Sequence, residues 1–280
     1  MAVDVGEEGM AGIRVGVFGA NGSGRDFVCA DIHGNPGVLL DALGSVGFDR
    51  ERDRVFQLGD LVDRGPDSVG ALALLSEPWF FGLKGNHEET LQAVLEMALW
   101  RRHQGVEPSR VVDELGRELL SMGGEWLYDM GKSGWDWDWA ETTLAALREM
   151  PDCLAVGTGE GRGFFGFHAK SPAGGPTDRG RMEALLGATG SDARGMGRDM
   201  RWSFNLPKMG RVLAEGSASV RGFGGGSVVF LGHSVTDKPV EEGGTVWLDT
   251  GLGHPGKRGF DPRMSLFEFG TGELRVFRAR

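Results

Sequence analysis

The amino-acid sequence predicts an α/β fold in which two mixed β-sheets pack together and helices flank them. In the first half of the chain, short apolar segments typical of strands alternate with amphipathic segments typical of helices. Strand-like segments dominate the second half. The sequence between the halves is mostly helical. These observations predict a single domain over residues 1–280, with a small helical insertion at about 100–150.

The first two predicted strands, at 13–18 and 26–30, flank the glycine-rich segment GANGSGR. Asn21-Gly22 is typical of a tight turn, so we expect a β-hairpin there. The same segment imitates a phosphate-binding P-loop. However, Arg25-Asp26 stand where that loop needs Lys followed by Ser or Thr, and a strand is expected after it instead of a helix. A P-loop is therefore not predicted.

Strand–loop–helix units follow this segment. Pro36 predicts the start of a helix with Asn35 as its cap, and the inward positions are Leu39, Leu40 and Leu43. RVFQLGD and WFFGLKGN then predict strands. The segment between them, VGALALLSE, predicts a helix, as does EETLQAVLEMALW after them, whose inward positions are Leu91, Val94, Leu95, Ala98 and Leu99.

The later part of the chain changes from helices to strands. Helical sequence runs from Ser109, a candidate cap, to Met150, and Pro151 ends it. Strands are then predicted in CLAVGT, GFFGFHAK, SVVFLGHS, TVWLDTG, SLFEFG and ELRVFRA. Residues 171–226 are glycine-rich and show no clear periodicity. The run WDWDW at 135–139 is interpreted as a surface anchor that packs over a helical cap, with a substrate-lip role as the alternative.

Composition and charge limit the classes of partner. The 280 residues include 40 acidic and 30 basic side chains, which gives a formal net charge of −10. This balance disfavours nucleic-acid and membrane binding, because both need basic surface. Cys29 and Cys153 lie in apolar segments and are interpreted as small buried side chains, without a disulfide framework. No signal-peptide pattern and no apolar run of ~20 residues is present, so we expect a cytoplasmic protein.

Polar motifs follow the predicted strands at the positions where α/β proteins form their sites. They are Asp31-Ile32-His33, GDLVDRG at 59–65, GNHE at 85–88, His168 and His233. Asp31 and His33 are two residues apart, so both can point to one ion. Asp60 could bridge to a second ion, whose other ligands would be Asn86, His168 and His233. Carboxylate, amide and imidazole ligands without thiolate suit Mn²⁺, Fe or Zn²⁺.

Three further residues in these motifs are predicted to be catalytic. His87 adjoins Asn86 and is left free to donate a proton, and Asp63 could bond its far nitrogen and fix its tautomer. Arg64 offers a planar fork suited to phosphate. The other histidines, His103 and His254, are interpreted as lying outside the site. LDTG at 248–251 resembles an aspartic-protease motif, but a second copy is missing.

Together, DIHG, GDLVDRG, GNHE and the two later histidines resemble the phosphoprotein phosphatase family of calcineurin-like metallophosphoesterases. The order is similar to that of the bacteriophage-lambda type of Ser/Thr phosphatase, from about residue 27 to 269. GFDRERDRVFQLGD, EPWFFGLKGNHE, GGEW and WLDTG add to the resemblance. It implies that one metal is held by Asp31, His33 and Asp60, and the other by Asp60, Asn86, His168 and His233. It also implies that His87 and Asp63 form an acid pair and that Arg64 clamps phosphate.

Two positions depart from the family pattern. Lys84 stands before GNH, where the family commonly has arginine. Related phage-type enzymes carry a second phosphate-binding arginine two residues after a tryptophan, and Phe204 takes that place here. Arg201, on the other side of Trp202, is the candidate replacement. We therefore expect Arg64, Lys84 and Arg201 to bind the substrate phosphate.

The resemblance predicts a dinuclear-metal-dependent phosphomonoesterase, specifically a protein Ser/Thr phosphatase. A metal-bridging hydroxide is expected to attack a phosphoprotein or phosphopeptide directly. The expected cofactors are two divalent ions, Mn²⁺ first, with Fe or Zn²⁺ as alternatives. A diadenosine tetraphosphate hydrolase or other small-molecule phosphoesterase is the alternative function. A catalytically weakened metal-binding interaction protein is the second alternative. We expect a monomer without nucleic-acid or membrane partners.

Overall fold

The computed structural model describes residues 13–157, 163–172, 198–203, 211–213, 227–254 and 261–278. The strands are β1 (Val15–Phe18), β2 (Asp26–Cys29), β3 (Arg54–Gln57), β4 (Phe80–Gly82), β5 (Cys153–Val156), β6 (Phe164–Phe167), β7 (Arg211–Val212), β8 (Val228–Leu231), β9 (Val240–Glu242), β10 (Thr245–Trp247), β11 (Arg263–Glu268) and β12 (Glu273–Arg278). The helices are α1 (Pro36–Ser45), α2 (Ser68–Ala73), α3 (Asn86–Arg102), α4 (Pro108–Met122), α5 (Glu125–Ser133) and α6 (Trp137–Glu149), and Leu74–Ser76 form a 3₁₀ turn.

The strands form two mixed sheets. One has seven strands in the order β1-β5-β6-β8-β10-β9-β7, and the other has five in the order β12-β11-β2-β3-β4. In the five-stranded sheet, β2, β3 and β4 run parallel. In the seven-stranded sheet, β6, β8 and β10 run parallel. The carboxyl ends of each parallel set therefore lie at one edge of its sheet.

The core has an inner layer between the sheets and an outer layer under the helices. Val28 and Phe56 face the other sheet, and the Phe56 ring lies 5.4 Å from that of Phe164. Phe27 and Cys29, which alternate with Val28, instead pack with the buried residues of the helices. Because successive strand residues point to opposite faces, a strand buried on both sides is apolar throughout. This explains why the strand segments were recognisable in the sequence.

The predicted β-hairpin at 13–30 is wrong. β1 pairs in parallel with β5 in the seven-stranded sheet, whereas β2 lies between β11 and β3 in the five-stranded sheet. The connecting loop is held by Asn21, which accepts a hydrogen bond from the Gly24 backbone (3.0 Å) and donates one to the Arg52 carbonyl (2.9 Å). Turn residues specify only a local bend, and the longer-range pairing of each strand decided which sheet it joined.

α1 begins at Pro36 as predicted, but the capping bond of Asn35, the start of α4 and one inward position differ from prediction. α4 begins at Pro108 with Glu107 at the cap, so Ser109 lies inside the first turn. Asn35 is at the cap position of α1, but its side chain donates to the carbonyls of Ile32 and His33 and not to the helix. Leu40 on α1 is exposed.

Helices α4, α5 and α6 occupy the segment predicted as an insertion, between β4 and β5 in the chain. In the WDWDW run, Asp136 caps α6 by accepting from the backbone of Asp138. Trp135 is buried, while Trp137 and Trp139 are half-buried against the same core. The anchor interpretation is therefore confirmed, although Trp135 is more deeply placed than a surface residue. In the part of the chain described, no helix is both long and apolar enough to cross a membrane.

Candidate metal centre

The carboxyl ends of the parallel strands from both sheets meet at one place. Asp31 and Asp60 follow β2 and β3, while His168 and His233 follow β6 and β8. The two sheets are joined there directly. The His168 ring bonds the Leu58 carbonyl (2.8 Å), and the His233 backbone N–H donates to the Asp31 carboxylate (2.9 Å).

Asp60 lies at the centre of the cluster, with its two oxygens directed to different imidazoles. Its Oδ2 is 3.8 Å from His33 Nε2 and 3.7 Å from His87 Nε2, and its Oδ1 is 3.3 Å from His168 Nε2. Asp31 Oδ2 lies 3.8 Å from His33 Nε2. One carboxylate is thus shared by two groups of candidate ligands.

The second group is compact as well. His168 Nε2 lies 2.9 Å from Asn86 Oδ1 and 3.1 Å from His233 Nδ1. The structure therefore brings together all six residues predicted as metal ligands. In the described part of the chain, two triads have ligand atoms within 4.8 Å of one another, namely His33, Asp60 and His87, and Asp60, His168 and His233. Distance alone therefore also permits His87 as a ligand.

The chemistry of this donor set fits divalent cations. His33 Nδ1 bonds the Val62 carbonyl (2.9 Å), as His168 Nδ1 bonds that of Leu58, so each Nδ1 carries the proton and each Nε2 faces the cluster. Burial raises the pKa of Asp31 well above its usual range, and the neighbouring carboxylates Asp249 and Asp60 raise it further. Although burial opposes it, Asp60 and Asp31 raise the pKa of His168 to about 10. A cation bound between these carboxylates would favour their ionised form, because opposite charge stabilises a carboxylate.

His87 and Asp63 form the predicted pair beside this centre. His87 Nδ1 is 2.5 Å from Asp63 Oδ2, and both side chains are buried. Burial disfavours the charged ring, but Asp60 and Asp63 outweigh it and raise the pKa of His87. The other Asp63 oxygen accepts a hydrogen bond from the Trp126 indole (2.7 Å). The carboxylate is therefore bonded on both sides.

Arg64 extends its guanidinium across the cluster. Its Nη1 lies 2.5 Å from the Nε2 atoms of both His33 and His254, and its Nη2 lies 3.0 Å from His87 Nε2. Interpreting His254 as a residue outside the site is therefore wrong, since its loop returns to the cluster. Nothing in the sequence indicates this contact, because His254 lies outside the motifs that contain the other histidines of the site.

The backbone at these motifs is unusual. Among the described residues, every non-glycine residue with a positive φ belongs to them: His33 (38°), Asp60 (60°), Asp63 (72°), Arg64 (67°) and His233 (60°). Such conformations cost of order 1–3 kcal/mol each and persist where the surroundings impose them. Strain is thus concentrated where side chains must converge.

Glu88 is a supporting residue whose role the motifs alone do not indicate. Its buried carboxylate accepts hydrogen bonds from the backbone N–H groups of Asp60 (2.7 Å), Leu61 (2.8 Å) and Gly85 (3.0 Å). It therefore ties the loop after β3 to the start of α3. The available signal was its place in GNHE. Asp249 of LDTG is a second such residue, buried near Asp31, and its Oδ2 has no hydrogen-bond partner among the residues that the structure describes.

Lys84 and Arg201 are not brought to the cluster. Lys84 Nζ donates (2.7 Å) to Oε1 of Gln92, a residue of α3. Arg201 forms ion pairs with Glu89 (2.8 Å) and Asp152. The expected phosphate role of both residues has no support in this arrangement, because each cation is paired elsewhere. Phe204 lies outside the described residues.

Comparison with known proteins extends these observations. Residues 27–152 match the family model described as calcineurin-like phosphoesterase. Serine/threonine-protein phosphatase 2 of Escherichia coli strain K12 is 26% identical over 234 residues, which cover 84% of this chain and 90% of the relative. The symmetrical bis(5'-nucleosyl)-tetraphosphatase of Acidovorax sp. strain JS42 is 31% identical over 166 residues, covering 50% of this chain and 53% of the relative.

Solved structures show the same fold. A putative diadenosine tetraphosphatase superimposes with a TM-score of 0.57 at 20% identity and covers 96% of this chain and 99% of its own. A protein serine/threonine phosphatase from Saccharomyces cerevisiae superimposes with a TM-score of 0.52 at 14% identity and covers 96% of this chain and 84% of its own. These likenesses confirm the predicted two-sheet α/β architecture.

Proposed function

We propose that this chain, whose residues 27–152 match the calcineurin-like phosphoesterase family model, is a protein Ser/Thr phosphatase that uses two divalent ions. The observation that carries the proposal is the position of Asp60, whose oxygens divide between His33 and His168. A bridging carboxylate is the arrangement that two-metal hydrolases need. The E. coli relative named as a Ser/Thr phosphatase, which aligns over most of both chains, supports the substrate class.

The ligands divide around that carboxylate. Asp31, His33 and Asp60 would hold one ion, while Asp60, Asn86, His168 and His233 would hold the other. We propose Mn²⁺ because the ligands are oxygen and imidazole without thiolate. Two divalent ions bound there would supply an activated water molecule and would withdraw charge from the phosphoryl oxygens.

Arg64 and His87 act on opposite parts of the substrate. The Arg64 fork, which lies across the cluster, binds phosphoryl oxygens and stabilises the charge that spreads over them. His87 donates the proton from Nε2 to the departing oxygen, while Asp63 holds the proton on Nδ1. Serine and threonine alkoxides are strong bases, so the departing oxygen must be protonated as the bond breaks.

Symmetrical dinucleoside tetraphosphate hydrolysis is the second candidate, favoured by the Acidovorax relative. Its leaving group is a phosphate oxygen, which is a far weaker base than an alkoxide and needs no proton. The buried His87–Asp63 pair therefore favours the monoester substrate.

A substrate panel tests this choice. Protein loaded with Mn²⁺ is assayed on a phosphoserine peptide, diadenosine tetraphosphate, a cyclic nucleotide and single-stranded DNA, with Asp60→Asn as the control for contaminating activity. We expect the largest kcat/KM on the phosphopeptide and none of the activity in the control. A larger kcat/KM on diadenosine tetraphosphate would replace the proposal by the second candidate.

A further inference from the structure

The helical insertion touches the acid pair through one side chain, Trp126 of α5. Its indole N–H donates to Asp63 Oδ1 (2.7 Å), while Asp63 Oδ2 bonds His87 Nδ1 (2.5 Å). Both oxygens of the carboxylate are therefore hydrogen-bonded, one to a residue of α3 and the other to a residue of the insertion. A hydrogen bond to an ionised acceptor is roughly twice as strong as one between neutral groups.

The turn before α5 packs closely against the loop that contains Asp63 and Arg64. The Arg64 backbone N–H donates to the Gly123 carbonyl (2.8 Å). Gly123 has a φ of 84°, and a Cβ there would lie 2.6 Å from Arg64 Cγ. Only glycine permits this approach. The insertion thus contacts both Asp63 and Arg64, whose own backbones have positive φ.

Trp126 is in turn held by the WDWDW run. Its ring lies 6.3 Å from the Trp139 ring at 87°, and Trp139 lies 6.5 Å from the buried Trp135. The contact between Trp126 and Trp139 is edge-to-face, a geometry that stabilises aromatic pairs beyond the burial of their surface. Trp139 therefore helps to fix the position of the indole that reaches Asp63.

We propose that Trp126 is a positioning residue for the proton donor, acting through Asp63. Without the indole N–H, the Asp63 carboxylate can rotate, and the His87 ring loses the orientation that directs Nε2 to the departing oxygen. The inference rests on the proposed function, since it requires His87 to be the acid. It gives the insertion a role in catalysis in addition to packing.

Comparison of two Trp→Phe variants tests the inference. Trp126→Phe keeps the ring but removes the N–H. Trp137→Phe makes the same change in a ring that packs against Trp135 and Arg102. We expect Trp126→Phe to lower kcat on a phosphoserine peptide by about tenfold and on p-nitrophenyl phosphate, which has a good leaving group, by under about twofold. The ratio of kcat on the phosphoserine peptide to kcat on p-nitrophenyl phosphate should be the same in Trp137→Phe as in the wild type.

The outcomes separate the two proposals. His87→Asn and Asp63→Asn serve as references, because each must show the leaving-group effect if His87 is the acid. If neither does, the acid assignment in the proposed function fails. If both do but Trp126→Phe changes the two substrates equally, Trp126 only supports the fold and the inference is overturned.

A second measurement does not depend on the folding of Trp126→Phe. In the otherwise unmodified protein, the indole ¹H–¹⁵N resonance of Trp126 should lie downfield and move upfield in Asp63→Asn, because the charged acceptor is lost. The Trp137 resonance should stay in place. An unmoved Trp126 resonance contradicts the hydrogen bond on which the inference rests.

Discussion

The two oxygens of Asp60 define the first prediction at the scale of single residues. Asp60→Asn removes the charge that both ligand groups share, so we expect metal content to fall at both sites and activity on an aryl phosphate to drop by at least roughly 100-fold. Metal content by mass spectrometry and kcat together check this. Asp237→Asn, at an exposed carboxylate paired with Arg263, is the matched control. Unchanged metal content would show that Asp60 is not a ligand of the metal centre.

His87 gives a second residue-scale prediction. General acid catalysis contributes typically ~10²–10⁴-fold, and more for poor leaving groups. His87→Asn should therefore lose much more rate on a phosphoserine peptide than on a nitrophenyl ester, with metal content unchanged. Because His87 Nε2 also lies within reach of a ligand cluster, loss of metal in this variant would identify the ring as a ligand instead of the acid.

Arg64 and Arg201 differ in the groups that they contact, and this difference predicts different effects of their removal. Arg64 lies across the cluster, whereas Arg201 is paired with Glu89 and Asp152. Arg64→Ala should weaken inhibition by inorganic phosphate about tenfold or more, which corresponds to ~1.4 kcal/mol. Arg201→Ala should leave that inhibition nearly unchanged and lower stability, since it removes the partner of two carboxylates. A tenfold weakening by Arg201→Ala would show that it turns to the substrate.

At the scale of elements, the loop between α1 and β3 supplies a pH-dependent prediction. Asp53 accepts hydrogen bonds from the Arg25 backbone (2.7 Å) and side chain (2.6 Å) and from the Asp49 backbone (3.0 Å). Burial opposes ionisation, but these bonds outweigh it and lower the pKa of Asp53. A lowered folded-state pKa stabilises the protein above the unfolded pKa of ~4, and this stability is lost as the pH falls through the folded-state value.

Asp53→Asn should therefore cost about 1–3 kcal/mol of unfolding free energy at pH 7 and progressively less below pH ~4. Urea unfolding of both proteins across this range measures the difference. Asp237→Asn, at a surface pair, should cost ~1 kcal/mol or less. If the loss of unfolding free energy in Asp53→Asn were the same at every pH, the Asp53 carboxylate would not stabilise the protein through its charge.

Some of the helices and strands could be predicted from the sequence, and others could not. β2, β3 and β4 and the helices after them follow from local patterns, because apolar strands and amphipathic helices carry their own periodicities. The partner of β1 did not follow, since Asn21-Gly22 reports only a local bend. β7 and β9, of two and three residues, were also missed. Their sequences, RV and VEE, lack the apolar run that identified the three-residue strands β4 and β10.

For the whole molecule, the resemblance to calcineurin-like metallophosphoesterases is confirmed, and the convergence of the motifs was predictable from their order. Each motif follows an apolar strand, and parallel strands end at one edge. What could not be predicted is the support from distant segments. Trp126 and His254 reach the centre from the insertion and from the loop after β10. Such contacts depend on the packing of separate elements, which no local pattern encodes.

The central claim is that catalysis requires ions bound at the shared carboxylate, and titration of metal-free protein tests it most directly. Protein stripped with a chelator is titrated with Mn²⁺ while bound metal and hydrolysis of a phosphoserine peptide are followed together. We expect no hydrolysis without metal and full activity only when two equivalents are bound. Hydrolysis that persists after complete metal removal, or that saturates at one equivalent, would contradict the dinuclear account.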